Sequence, residues 1–316
     1  MDSSLKMSNS EIVERFLSHI SSQRRYSPLT VRNYRRDIEE FVSWGESVAE
    51  NGNFSLQDVR TEDLREWVMS LSEQRGLSPA SVNRTVASVR SMYRFLRREE
   101  IVGRDVFAML SSLRTSQRLP KFVPEGEMVE VVESVIQRLH EGEWRERRDA
   151  MMVLLFYTCG IRLAELAGID DEDFENDYSV LRVHGKGDKE RLVPLVERVR
   201  EEVRQFVVQK FPPNICTSRE KALFLSKQAT RISRSDVQRS VARLLRECGV
   251  KGKCSPHVLR HTFATHLLND GADMREIQEL MGHASLSSTQ VYTHNNIAQL
   301  QRIYFSAHPR SKGQSD

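Results

Sequence analysis

Long apolar runs are missing from this chain. No stretch approaches the ~20 residues needed to cross a bilayer. The opening residues, MDSSLKMSNSE, are polar and lack the apolar segment of a secretory signal. No membrane association is expected. Cysteine is scarce: four in 316 residues cannot build a disulfide framework. Cys248 and Cys254 precede His257, yet the spacing fits no usual zinc finger, so these thiols read as buried or idle. There is no phosphate-binding P-loop, no His-Glu-x-x-His helix and no carboxylate cluster for two-metal chemistry. No cofactor and no metal are expected. Internal repeats and low-complexity tracts are lacking too.

Charge is abundant, at 29% of residues, but nearly balanced: the net is only +3. That alone says little about a nucleic-acid partner. The clustering says more. Arg24–Arg25, Arg32 and Arg35–Arg36 form one group, and Arg84, Arg90, Arg94 and Arg97–Arg98 a second. Arginine's planar fork suits phosphate, although a solvated face of scattered ion pairs would give the same clusters.

Apolar periodicity predicts helices throughout residues 11–113. Ile12, Val13, Phe16, Leu17 and Ile20 mark the first, and Val31, Tyr34, Ile38, Phe41 and Val42 the second. Ser27–Pro28 and Ser78–Pro79 are start signals, a capping serine followed by a first-turn proline. Thr61 is expected to cap a third helix. A fourth runs from about Ala80 to Arg98, with Arg90, Arg94, Arg97 and Arg98 at helical spacing, so several can share a face. Residues 114–124, with two prolines and basic residues, read as a linker between a domain at 1–113 and another at 125–316. In the second domain, Arg145–Thr158 is a core helix, and Gly160 permits a sharp turn before Arg162. The runs Val180–Val183 and Arg191–Leu195 flank HGKGDKE and predict a hairpin tipped by Lys186. Helices follow at Glu197–Phe211 and Asp236–Cys248, and a short one is expected after Tyr292. The fold class expected is mainly α in two domains, a helical bundle and a mixed helical domain with a small β-hairpin.

Breaking a phosphodiester without a metal sets chemical requirements. The nonbridging oxygens need cationic, bidentate donors as charge builds. A nucleophile must attack in line, a base must take its proton, and an acid must protonate the leaving oxygen. Arg162, Lys186, His257, Arg260, His283 and Tyr292 supply those groups. Singly, each has an ordinary explanation: a surface ion pair, a solvated lysine, a helix cap, a core tyrosine. As an ordered set they are far more specific.

The set resembles the tyrosine site-specific recombinases (the phage integrase family), and within them the Xer type. TCGIRLAEL is similar to the first arginine motif, with Arg162 as the arginine and Glu165 one turn on. HGKGDKERLVPL is similar to the hairpin lysine motif at Lys186. SPHVLRHTFATHLL carries the His-x-x-Arg pair His257 and Arg260, and LMGHASLSSTQVYTH places His283 nine residues before Tyr292. The likeness spans about Glu11 to Pro309.

The resemblance implies a catalytic domain preceded by a helical core-binding domain, the two forming a clamp on DNA. It implies that Tyr292 attacks the scissile phosphate to form a 3′-phosphotyrosyl bond. Arg162 and Arg260 would clamp the nonbridging oxygens, and Lys186 would protonate the departing 5′ oxygen. His257 would move a proton at Tyr292, and His283 would hydrogen-bond the phosphate. His261 and His266 read as structural. Arg90, Arg94 and Arg97 would face the DNA backbone, with Gln238 and Arg243 as candidate base readers. The implied partners are a double-stranded recombination site, a homo- or hetero-tetramer with itself or a paralogous recombinase, and a septal DNA translocase. The implied role is chromosome dimer resolution through a Holliday junction, at a cytoplasmic, nucleoid-associated location. Asn296–Phe305 would dock on a neighbouring subunit. Two rival readings are a mobile-element integrase or transposase and a catalytically silent DNA-binding protein. The first core helix starts near Glu11, which leaves no room for the extra N-terminal domain of many integrases.

Overall fold

The computed structural model describes residues 7–24, 26–49, 52–115, 122–185, 189–211 and 220–282. The chain packs as two units, Met1–Gln117 and Arg118–Asp316. Among the described residues, no helix is long and apolar enough to cross a membrane.

Among the described residues the first unit holds four helices: α1 (Asn9–Ser22), α2 (Pro28–Val48), α3 (Thr61–Glu73) and α4 (Pro79–Arg98). Their starts follow from side chains that replace missing helical partners. Ser8 and Glu11 form a reciprocal capping box on α1, and Ser27 and Ser78 accept the N–H groups of Thr30 and Ser81 ahead of α2 and α4. Thr61 does not cap α3. It is the first helical residue, its hydroxyl donates to the Val106 carbonyl, and the Arg60 N–H is taken by the Asp63 carboxylate at 2.7 Å. Phe16, Phe41, Trp67, Leu64 and Ile38 fill the core. Each such side chain contributes roughly 1.5–3 kcal/mol by leaving water. The unit is closed by Asn83 on α4, which donates to the Leu113 carbonyl and accepts its N–H, both at 2.9 Å.

The second unit is built on α6 (Trp144–Cys159), buried from Arg148 to Cys159 without a break. A helix apolar on all sides must be surrounded. Here it packs against α5 (Glu125–Glu141), α8 (Glu197–Val208), α9 (Arg234–Glu247) and α10 (Pro256–Asn269). Between α6 and α8 lie α7 (Leu163–Gly168) and a three-stranded antiparallel sheet in the order β1 (Phe174–Glu175), β2 (Val180–His184), β3 (Glu190–Pro194). The expected hairpin pairs Val183 with Arg191 and Leu181 with Val193, and β1 is an addition to it. The last described helix is α11 (Met274–Leu280).

The chain entering this unit is anchored earlier than the sequence indicates. Val123, read above as linker, is buried in the second core. Its N–H donates to Thr262 Oγ1 at 2.9 Å, and its carbonyl accepts from His266 Nε2 at 3.0 Å. Thr262 and His266 are one turn apart on α10, so one helical face holds both polar groups of one peptide residue.

Candidate active site

Arg162 occupies the N-cap of α7, just after α6 has ended at Gly160. Gly160 has φ +57°, and a Cβ there would meet the Phe263 ring at 2.4 Å. Only glycine permits both the left-handed turn and that approach. Glu165, three residues on from Arg162, accepts its backbone N–H and one guanidinium nitrogen, each at 2.7 Å. This is the capping-box spacing, with the acidic residue also gripping the cap's own side chain.

Arg260 lies on α10, three residues after His257. Its side chain is buried while His257 is exposed. One Arg260 nitrogen donates to the Gly160 carbonyl and another to the Met281 carbonyl at 2.5 Å. Arg162 Nη2 donates to the Gly282 carbonyl at 2.8 Å. A third arginine, Arg191 on β3, donates Nε to the Leu280 carbonyl at 2.9 Å. Three successive carbonyls at the end of α11 are therefore held by three different guanidiniums. They lie at the C-terminal end of the helix, where its dipole is negative, so cations suit them. The turn they hold leads directly to His283.

Arg191 also grips both oxygens of Glu165, at 3.0 and 2.8 Å. Burial alone would raise the Glu165 pKa. The bonds and charge of Arg191, then those of Arg162, outweigh it and hold the carboxyl near 2, so Glu165 is ionised. Burial, followed by the like charge of Arg162 and Arg191, lowers Arg260 to about 10 against the pull of Glu165. Arg260 remains fully charged at neutral pH. Three guanidiniums and one carboxylate leave the cluster at a net +2. Gly282, at φ +66°, gives them room: a Cβ there would lie 3.2 Å from Arg191 Nη1 and 3.3 Å from Arg162 Nη1.

Of the six catalytic candidates, Arg162, His257 and Arg260 are described. The first and last converge on one turn, and His257 starts the helix that carries Arg260. Lys186, His283 and Tyr292, like the tail Asn296–Phe305, lie outside the described residues. The base of the lysine hairpin is described. The Gly185 N–H donates to the Lys189 carbonyl at 2.7 Å, and a Cβ on Gly185 would come within 4.0 Å of Glu165 Oε1. Sequence reasoning missed Arg191. Its signal was the strand period: Arg191 shares a face with buried Val193, a register where a charge needs a partner. Cys159, next to Gly160, is no nucleophile, because burial pushes its thiol up to about 12.

The expected DNA-facing residues have differing surroundings. Arg90 donates to the Leu110 carbonyl at 2.8 Å and lies over the Phe107 ring, and Arg97 pairs with Asp105 at 2.5 Å. Arg94 is exposed. With Arg104 they line a cleft of about 140 Å³. Arg243 on α9 pairs with buried Asp149 at 2.6 Å and nearby Gln238 is exposed.

The sequence profile of the phage integrase family matches residues 128–299, and that of the phage integrase N-terminal SAM-like domain matches residues 13–100. The chain belongs to the phage integrase family. It is a tyrosine recombinase, an enzyme that cuts and rejoins DNA at specific sites. The recombinase is 35% identical over 314 residues to the tyrosine recombinase XerC of Thermodesulfovibrio yellowstonii, covering 97% of this chain and 99% of that one. It is 34% identical to the XerC of Psychromonas ingrahamii, covering 95% and 97%. Its fold is that of the XerH site-specific recombinase bound to a palindromic difH substrate (TM-score 0.72, 19% identity, 96% of this chain and 94% of that chain). A lambda integrase dimer bound to a core site is also similar (TM-score 0.65, 16% identity, 90% and 100%).

Proposed function

We propose that this recombinase cleaves DNA through a 3′-phosphotyrosyl bond to Tyr292. In this reading Arg162 and Arg260 bind the nonbridging oxygens and Lys186 protonates the departing 5′ oxygen. His257 moves the proton at Tyr292, and His283 hydrogen-bonds the phosphate. The observation that carries the reading is the convergence of Arg162 and Arg260 on the carbonyls of Gly282 and Met281, immediately before His283. Each guanidinium has five N–H donors, and the bonds described commit two side-chain nitrogens of each. Donors remain for a phosphate, in a site whose net charge favours one. Exchange of one phosphodiester for another conserves bond energy, so the reaction needs neither ATP nor a metal.

The proposed substrate is a double-stranded recombination site, bound by a homo-tetramer or a tetramer shared with a paralogous recombinase. The proposed role is chromosome dimer resolution, with a septal DNA translocase as candidate activator. The XerC relatives support that role. Residues 1–113 would serve as the core-binding domain and 125–316 as the catalytic domain. Arg90, Arg94, Arg97, Gln238 and Arg243 would contact DNA, Arg94 and Gln238 with the least rearrangement.

The test is a nicked suicide duplex carrying the host's candidate site. A covalent protein–DNA adduct should form in the presence of chelator and disappear in Tyr292→Phe. An adduct that survives Tyr292→Phe would overturn the nucleophile assignment. Binding without linkage by the wild type would favour a silent DNA-binding protein.

A further inference from the structure

We infer that Arg191 is a positioning residue of the cleavage site: it offsets the charge of Glu165 and fixes the turn before His283, so that Arg162 and Arg260 present undiminished positive charge to the phosphate. The inference rests on the cleavage reading above.

Charge is the first part of the argument. Glu165 anchors Arg162 through its backbone and side chain. One carboxylate against the guanidiniums of Arg162 and Arg260 would offset one of their two positive charges, and in a partly enclosed site that loss weakens the hold on a phosphate. Arg191 meets both oxygens of the same carboxylate and raises the net charge of the cluster from +1 to +2. Its side chain is only 14% exposed against 39% for Arg162.

Position is the second part. Arg191 Nε holds the Leu280 carbonyl, the first of the three that the arginines share. Because Arg191 lies on β3, opposite Val183, it ties the strand that leaves the Lys186 loop to the turn that leads to His283. One side chain thus links three of the family's motifs. At Gly282, with φ +66°, a side chain would be strained and its Cβ would crowd this fork and that of Arg162.

The test uses the full chain, the suicide duplex and the rate of adduct formation. Arg191→Met should slow linkage by about 10- to 100-fold, the range seen when outer partners of metal ligands are removed, with DNA binding retained. Adding Glu165→Gln removes the stranded charge while preserving a side chain that can complete the capping box. The double variant should therefore regain part of the rate, the part owed to charge, a recovery that lost packing alone would not produce. Arg191→Lys, which keeps the charge without the fork, should fall between wild type and Arg191→Met, and it serves should the methionine variant fail to fold. Arg191→Met linking at the wild-type rate would overturn the inference, as would a double variant no faster than Arg191→Met or a lysine variant no faster than it. A wild type that binds but never links would instead overturn the cleavage reading, and this inference with it.

Discussion

Arg260 shows what a buried charge requires. Its guanidinium reaches the carbonyls of Gly160 and Met281, so the chain closes on it from two sides. Gly160 makes the first of those contacts possible. Gly160→Ala would force an L side chain to φ +57° and drive its Cβ into Phe263. The expected loss is roughly 2–4 kcal/mol, read from denaturant midpoints. His266 yields a pH prediction. Its ring accepts from the Tyr157 hydroxyl and donates to the Val123 carbonyl, each at 3.0 Å. Burial lowers its pKa, while the Val123 carbonyl and the charges of Glu125 and Asp270 oppose that. The unfolded chain therefore takes up the proton first. Stability from neutral His266 is full above the ordinary histidine value near 6.5 and falls as pH drops below it. Wild type should lose more stability than His266→Asn between pH 7.5 and 5.5. An equal loss would remove His266 from the titration.

At the scale of elements, α10 carries two duties on two faces. His257 and Arg260 are the residues proposed for cleavage, while Thr262 and His266 tie down the entering chain at Val123. Helical period explains the division, since residues one turn apart share a face. Similar economy operates between α2 and α4. Asp37, almost wholly buried, accepts two bonds from Arg84, one at 2.7 Å, and one from Ser88 at 2.8 Å. Arg84 is one of the clustered arginines, and here it pins two helices together. Asp37→Asn should destabilise the protein by about 2 kcal/mol, the scale of lost bonds to a charged group. Thermal unfolding would check it, and an unchanged melting temperature would show that Arg84 has another use.

At the scale of the whole molecule, two separate cores underlie two units, and basic residues are distributed over both. Affinity for DNA should fall with salt at a slope set by the phosphate contacts, about −0.9 for each. Arg94 is exposed, whereas Arg97 is paired with Asp105. Arg94→Ala should reduce the slope by about 0.9 and leave the melting temperature unchanged. A slope equal to wild type would take Arg94 off the DNA. Legibility also differed by scale. The helices of the first unit could be read because their apolar spacing and Ser-Pro starts are local signals. The α3 cap could not, because Thr61 was drawn to the distant Val106 carbonyl. The anchoring of Val123 within the expected linker could not be read for a similar reason, since its partners lie more than a hundred residues away.

The sequence by itself determined the chemistry available: which groups stand in which order, and that their order matches a family. Arg162, Lys186, His257, Arg260, His283 and Tyr292 stand out as candidates because reaction requirements restrict residue type, and motifs preserve local spacing. Tertiary structure decided how the described arginines are held. Arg162 and Arg260 meet at consecutive carbonyls only after α6, α10 and α11 have packed. Arg191, an ordinary strand residue in the sequence, becomes the partner of Glu165 through the same packing. The physical reason is range. Capping and periodicity act within a few residues, whereas charge compensation acts through space and needs the fold to bring its partners together.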